Sequence, residues 1–299
     1  MQFFNREKEK AEIRKILELE PSVVYFFYGP INSGKTALIV EVIRELPSNY
    51  RVFYFNFRGY TLQSHEDFYD ILFEVDEKTK IEGLQEYLSG ITESLSKISE
   101  KAIEFGTGIK IPISKVLFDK IFERKEKSKD IFNYLESFFI HLKKKRIQPV
   151  FILDEIQRLK GLKNNGELLS ELFNFFVRMT KETHLCHCLA LTSDSLFVEY
   201  VYNRAELQER AKYIKVDDFS REDALNYLEL NGLGEYKEEI ISKVGCKPSL
   251  LSIVVNESKI AEVNDKNMKD ILCDMIKDQK QKIQSTLELL RYITPKVKW

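Results

Sequence analysis

Residues 29–36 read Gly-Pro-Ile-Asn-Ser-Gly-Lys-Thr, the spacing G-x-x-x-x-G-K-[ST]. Before them runs Val23-Val24-Tyr25-Phe26-Phe27-Tyr28, β-branched and aromatic. After them Thr36-Ala37-Leu38-Ile39-Val40-Glu41-Val42-Ile43 has helical spacing. Strand, glycine loop and helix, in that order, form a phosphate cradle. Gly29 and Gly34 permit a sharp turn and close backbone approach. Loop amides and the helix N-terminus carry partial positive charge. The binding stretch is thus Gly29, Pro30, Ile31, Asn32, Ser33, Gly34, Lys35, Thr36 and Ala37. Lys35 reaches β- and γ-phosphates and the Thr36 hydroxyl holds Mg²⁺.

A phosphate loop of this kind needs an acidic partner. Pro149-Val150-Phe151-Ile152-Leu153-Asp154-Glu155 supplies it: an apolar run expected of a strand buried on both faces, ending in two acids. Asp154 is placed to hold Mg²⁺, directly or through water. Glu155 is placed to polarise the water that attacks the γ-phosphate. Together the two motifs predict ATP or GTP binding. Thr192-Ser193-Asp194-Ser195 closes the next apolar run. Ser193, with Thr192 second, is the expected γ-phosphate monitor; a helix N-cap is the alternative. Arg204 and Arg210 can offset transition-state charge, in cis or from a neighbouring subunit.

Strand patterns at 23–28, 51–57, 149–155, 186–192 and 211–216 alternate with helical ones at 5–19, 128–146 and 167–182, which predicts an α/β fold with a parallel sheet. The core is expected over 1–216, interrupted by a largely helical insertion at 62–146. Within it, helices are expected at 65–74 and 80–104, and a hairpin or loop at 105–113. A helical domain is expected over 217–299. Its first helix starts at the capping pattern Ser220-Arg221-Glu222-Asp223; further helices are expected around Leu272, Met275 and Ile276 and at 280–293. The chain has 299 residues, 43% hydrophobic and 31% charged, with net charge −1. No global basic field points to nucleic acid. The basic run Lys143-Lys144-Lys145-Arg146 is read as complementing a helix C-terminus. The start of the chain is charged at once, and no apolar run approaches membrane length, so a cytoplasmic location without membrane partners is expected. Of four cysteines, Cys186 and Cys188 lie with His184 and His187 in a strand whose side chains alternate faces, which argues against a metal there.

Phe3-Phe4-Asn5-Arg6-Glu7-Lys8-Glu9, Leu153-Asp154-Glu155-Ile156-Gln157-Arg158-Leu159, Asn203-Arg204-Ala205 and Gly245-Cys246-Lys247-Pro248 follow one another along the chain. With the phosphate loop they resemble the archaeal ATPase family of the AAA+ class, within the signal-transduction ATPases with numerous domains. Asn5 and Asn203 stand where that family has Gly. The resemblance covers about residues 3–256. It implies a P-loop NTPase core with a parallel five-stranded sheet, the acidic strand beside the loop strand, followed by a small α-helical lid. It implies ATP and Mg²⁺ as cofactors, with the adenine near Phe4, Arg6 and Pro248. Relatives often carry a winged-helix domain after the lid; about forty residues follow Asn256, too few for a complete one.

The resulting expectation is a slow, Mg²⁺-dependent ATPase that acts as a nucleotide-driven switch, on a protein partner or through self-association. The alternative is a nucleic-acid-associated ATPase of the origin-recognition or transposition-helper type. A nucleotide-binding module without catalysis is a third reading, which requires Glu155 to be misplaced.

Overall fold

Because the strand patterns at 149–155 and 186–192 are short and apolar, the chain must cover both faces of its sheet with helices there. The computed structural model describes residues 3–73, 127–162, 165–264 and 268–293. The chain divides into two compact units, one of Glu7–Gly29 with Lys35–Lys215, the other of Val216–Trp299 with Met1–Arg6 and Pro30–Gly34. The expected helix at 80–104, the hairpin at 105–113 and so most of the 62–146 insertion lie outside the described residues.

The larger unit holds β1 (Val24–Tyr28), β2 (Tyr50–Asn56), β3 (Gln148–Asp154), β4 (His187–Thr192) and β5 (Ala211–Lys215), in the order β2-β3-β4-β1-β5. All four pairings are parallel. Every residue of β4 is buried, and β3 is buried from Pro149 onward. The acidic strand is not beside the loop strand: β4 separates β3 from β1. Parallel neighbours are joined by long crossovers, so strand order is set by how helices cover the faces and not by motif order along the chain. The consequence is functional. Tyr28 is in register with Thr192, and Asp154 with Leu191, so the polar end of β4 stands between the end of the loop strand and the acids.

The sheet is flanked by α1 (Glu7–Glu18), α2 (Lys35–Arg44), α3 (His65–Phe73), α4 (Lys127–Lys144), α5 (Asn165–Val177) and α6 (Ser195–Tyr202). Ile13, Ile16 and Leu17 form the buried stripe of α1. The helix expected to reach residue 182 leaves α geometry at Val177 and finishes in a π turn, Arg178–Glu182. There the Thr180 hydroxyl donates to the Phe176 carbonyl at 2.8 Å, giving the backbone a local alternative to regular helix. The core is aromatic: Phe53 meets Phe138 and Phe139, and Phe151 meets Phe55, Phe139, Phe175 and Phe176, with ring centroids 5.4–6.3 Å apart.

At the start of β4, His187 is 2% exposed. Burial pushes its pKa down from 6.5 to about 4. The fold therefore favours neutral imidazole. This contribution is complete above pH 6.5 and is lost as pH falls toward 4, by about 3 kcal/mol. Urea unfolding at pH 7 and pH 4 checks it: wild type should lose about that much more stability on acidification than His187→Gln.

The smaller unit is helical, with α7 (Arg221–Leu230), α8 (Lys237–Val244), α9 (Pro248–Asn264) and α10 (Met268–Ile293). Ser220 caps α7 as its sequence predicts, its hydroxyl oxygen accepting the Asp223 amide at 3.0 Å. Leu228, Ile240, Leu251, Val254 and Leu272 form its core. Where two terminal helices are expected there is one, because 268–293 contain no Gly or Pro and are rich in Lys, Gln and Leu. Among the described residues no helix is long and apolar enough to cross a membrane.

Candidate functional site

Parallel strands place all their C-terminal ends along one edge of the sheet, and the acids lie on that edge. Asp154, the last residue of β3, is 2% exposed. Its Oδ2 accepts the Thr36 hydroxyl at 2.6 Å and the Tyr54 hydroxyl at 2.7 Å, with the Asn56 amide at 3.4 Å. Its Oδ1 accepts the Glu155 backbone N–H at 2.9 Å. Burial raises the Asp154 carboxyl above the usual carboxylate range, and the two hydroxyls partly offset this. Burial and the neighbouring carboxylate push the Tyr54 phenol up in turn. The loop hydroxyl and the strand-end acid that the sequence pairs are therefore in direct contact.

Glu155 leaves the strand in a left-handed conformation, φ 59° and ψ 39°. A glutamate adopts such backbone only where its surroundings hold it, a feature that clusters at functional sites. Here the chain turns from β3 straight into the 3₁₀ turn Ile156–Gly161. Glu155 Oε1 pairs with Arg58 Nη2 at 2.5 Å. Its Oε2 accepts the Gln157 amide at 2.5 Å and faces the Ser193 hydroxyl at 3.4 Å. The Thr192 hydroxyl donates to Gln157 Oε1 at 2.7 Å. Gln157 thus ties the acidic strand end to the end of β4. The cap of α6 is Asp194, which accepts the Leu196 and Phe197 amides, so Ser193 is not the N-cap.

In the same unit Lys35 opens α2, 7% exposed, and its Nζ donates to the Gly29 carbonyl at 3.0 Å. The first turn of α2 has no acidic residue, which leaves its amide end suited to an anion. Arg204 pairs with Glu206 at 2.5 Å, and its guanidinium carbon lies 5.6 Å from the centre of the Tyr200 ring. Arg210 Nη1 donates to the Glu206 carbonyl at 3.3 Å. The Arg210 carbonyl accepts the Val24 amide at 2.9 Å, at the start of β1. The loop begins at the other end of that strand, about 16 Å away at about 3.3 Å per residue. Arg210 therefore stands at the end of β1 away from Gly29.

The other unit contains the tip of the loop, where the Ser33 amide donates to the Pro30 carbonyl at 3.2 Å. Gly34 has φ +93°, which favours glycine, and Asn32 has φ 62°. Arg6 donates to the Ser33 carbonyl at 2.6 Å and to the Asp217 carbonyl at 2.7 Å, and it stacks 5.3 Å from the Phe219 ring centre. Lys247 Nζ reaches the Ile31 carbonyl at 3.3 Å and Asp218 at 3.1 Å. Phe4 packs edge-on against Phe219 and Tyr227, at 5.8 and 5.2 Å. Pro248 starts α9. Asn5, in place of the family's Gly, has φ 53° and bonds Asp223; asparagine is among the few residues that enter this region readily. Asn203 has φ −85°, so nothing there requires glycine.

Sequence reasoning missed Tyr54, Asn56 and Arg58, and it gave Gln157 and Lys247 no role beyond their motifs. Tyr54 and Asn56 sit two apart on β2 and so share a face. That face meets the acids only because β2 pairs with β3, Asn56 in register with Asp154.

Residues 3–254 match the family described as an ATPase domain predominantly from Archaea. An uncharacterized ATP-binding protein of Methanocaldococcus jannaschii is 45% identical over 300 residues, 96% of this chain and 80% of that protein. A second one from that organism is 46% identical over 308 residues, 99% of this chain and 79% of its own length. Among solved structures, a Walker-type ATPase of Pyrococcus abyssi superposes with TM-score 0.63 at 17% identity, over 98% of this chain and 77% of that one. The ORC2 protein of Aeropyrum pernix superposes with TM-score 0.53 at 14% identity, over 93% and 69%. At such identities the two structures speak for the fold alone. The family match and the close relatives make the chain a member of the archaeal ATPase family.

Proposed function

We propose that this protein binds ATP with Mg²⁺, hydrolyses it slowly, and works as a nucleotide-driven switch. The observation that carries this is the 2.6 Å contact between Thr36 Oγ1 and Asp154 Oδ2, with Glu155 next in the chain. A hydroxyl and a carboxylate, both hard oxygen donors on adjoining elements, suit Mg²⁺. The names of the close relatives support the nucleotide as ATP.

In this reading the amides of 29–37 and the Lys35 ammonium hold the phosphates, Lys35 exchanging the Gly29 carbonyl for phosphate oxygen. Thr36 and Asp154 hold Mg²⁺, which supplies charge neutralisation at the β- and γ-phosphates. Glu155 orients the attacking water and takes its proton. Ser193 and Gln157 fix that carboxylate and report on the γ-phosphate. Phe4, Arg6 and Pro248 neighbour the adenine, Arg6 also bracing the loop tip. Arg210, and with it Arg204, serves the nucleotide of a neighbouring copy. Protein partners or self-association read out the nucleotide state, in the cytoplasm. The test is equilibrium ATP binding and turnover for wild type and Lys35→Ala: the variant should lose both, and equal behaviour would sink the reading. Nucleic-acid association, the alternative, is motivated by the family resemblance and the basic run 143–146; with a net charge of −1, no binding to duplex DNA is expected at low salt.

A further inference from the structure

We infer that Tyr54 is a positioning residue for divalent-cation binding, holding Asp154 in the one orientation that faces the loop hydroxyl. The inference rests on the Mg²⁺ reading above. Tyr54 is 7% exposed and lies on β2, the strand hydrogen-bonded to β3. Its hydroxyl is 2.7 Å from Asp154 Oδ2, the same oxygen that accepts Thr36. The other oxygen, Oδ1, is held by the Glu155 backbone amide. A carboxylate has one free rotation about its last bond, and these contacts remove it from both ends. Oδ1 is fixed by main chain, and Oδ2 is fixed between a phenol on one strand and a hydroxyl at the start of α2.

The two hydroxyls are not equivalent. Thr36 belongs to the cation's own donor set, so its contact with Asp154 changes when the cation arrives. Tyr54 comes from a strand paired with β3 and lies outside the cation's own donor set, so its bond orients Asp154 in both states. Partners that orient a ligating carboxylate in this way typically govern metal affinity 10–100-fold. Asn56 approaches the same oxygen at only 3.4 Å, a long contact that orients weakly.

The experiment is equilibrium titration of Mn²⁺, as a paramagnetic stand-in for Mg²⁺, into protein saturated with ADP. Free Mn²⁺ is read by electron paramagnetic resonance, and ADP affinity is measured separately in EDTA. Tyr54→Phe should weaken Mn²⁺ about 10–100-fold and leave ADP affinity in EDTA within twofold; Asn56→Ala should change Mn²⁺ affinity less than threefold. Tyr54→His keeps a ring N–H donor and serves if the phenylalanine variant does not fold; it should fall between wild type and the Thr36→Val loss. Unchanged Mn²⁺ affinity in Tyr54→Phe, or equal weakening of ADP in EDTA, would overturn the assignment while Thr36→Val still loses the metal. If wild type itself holds no Mn²⁺ with ADP, the Mg²⁺ reading fails and this inference with it.

Discussion

Glu155→Gln is expected to cut ATP turnover by about 10²–10⁴-fold while leaving nucleotide binding intact, the usual cost of removing a positioned general base. The amide keeps the size of the side chain and a hydrogen-bonding oxygen. What it loses is the capacity to take a proton from water. It also loses the ion pair with Arg58, which the wild-type carboxylate makes at 2.5 Å. Arg58→Ala separates the two effects, because it removes the same pair and keeps the carboxylate. The arginine side chain is 61% exposed, where ion pairs contribute little, so this variant should retain turnover within a few-fold. Single-turnover hydrolysis and equilibrium binding of ATP, compared across the three proteins, make the check. Full turnover in Glu155→Gln would remove Glu155 as the general base.

Phe151→Ala should destabilise the sheet unit by about 3–5 kcal/mol, as expected for loss of a fully buried aromatic side chain. Phe151 is completely buried in β3, three residues before Asp154, and touches four other rings from β2, α4 and α5. Few neighbours can collapse into the space, because they are held in paired strands and long helices. Urea unfolding followed by far-ultraviolet circular dichroism measures the loss. Leu230→Ala, at a residue 76% exposed, should stay within about 0.5 kcal/mol. Since β3 carries Asp154 and Glu155 on its end, weaker packing at Phe151 should also loosen the acids, and turnover should fall before global unfolding.

The phosphate loop, the acidic strand end, the Ser220 cap and the alternation of strands with helices could all be read along the chain. Each is a local pattern, in which residues one to eight apart make the element or the chemistry. The resemblance extended this reading to the lid and to the N-terminal segment. Asn5 shows how local physics tolerates a departure from the family pattern, for its φ of 53° is one that asparagine accepts.

Everything that depended on which strands are neighbours had to come from the packed chain. The acidic strand was expected beside β1, yet β4 intervenes and brings its polar end between the end of the loop strand and the acids. Tyr54 and Arg58 look like an ordinary strand residue and an ordinary surface arginine until β2 pairs with β3 and sets them on Asp154 and Glu155. That Arg210 lies beside Val24, at the start of β1, also follows from the packed chain alone. Spacing along a chain records contacts over a few residues. Contacts such as Thr36 with Asp154, 118 residues apart, arise when buried apolar faces choose their neighbours, and many strand orders satisfy the same local pattern.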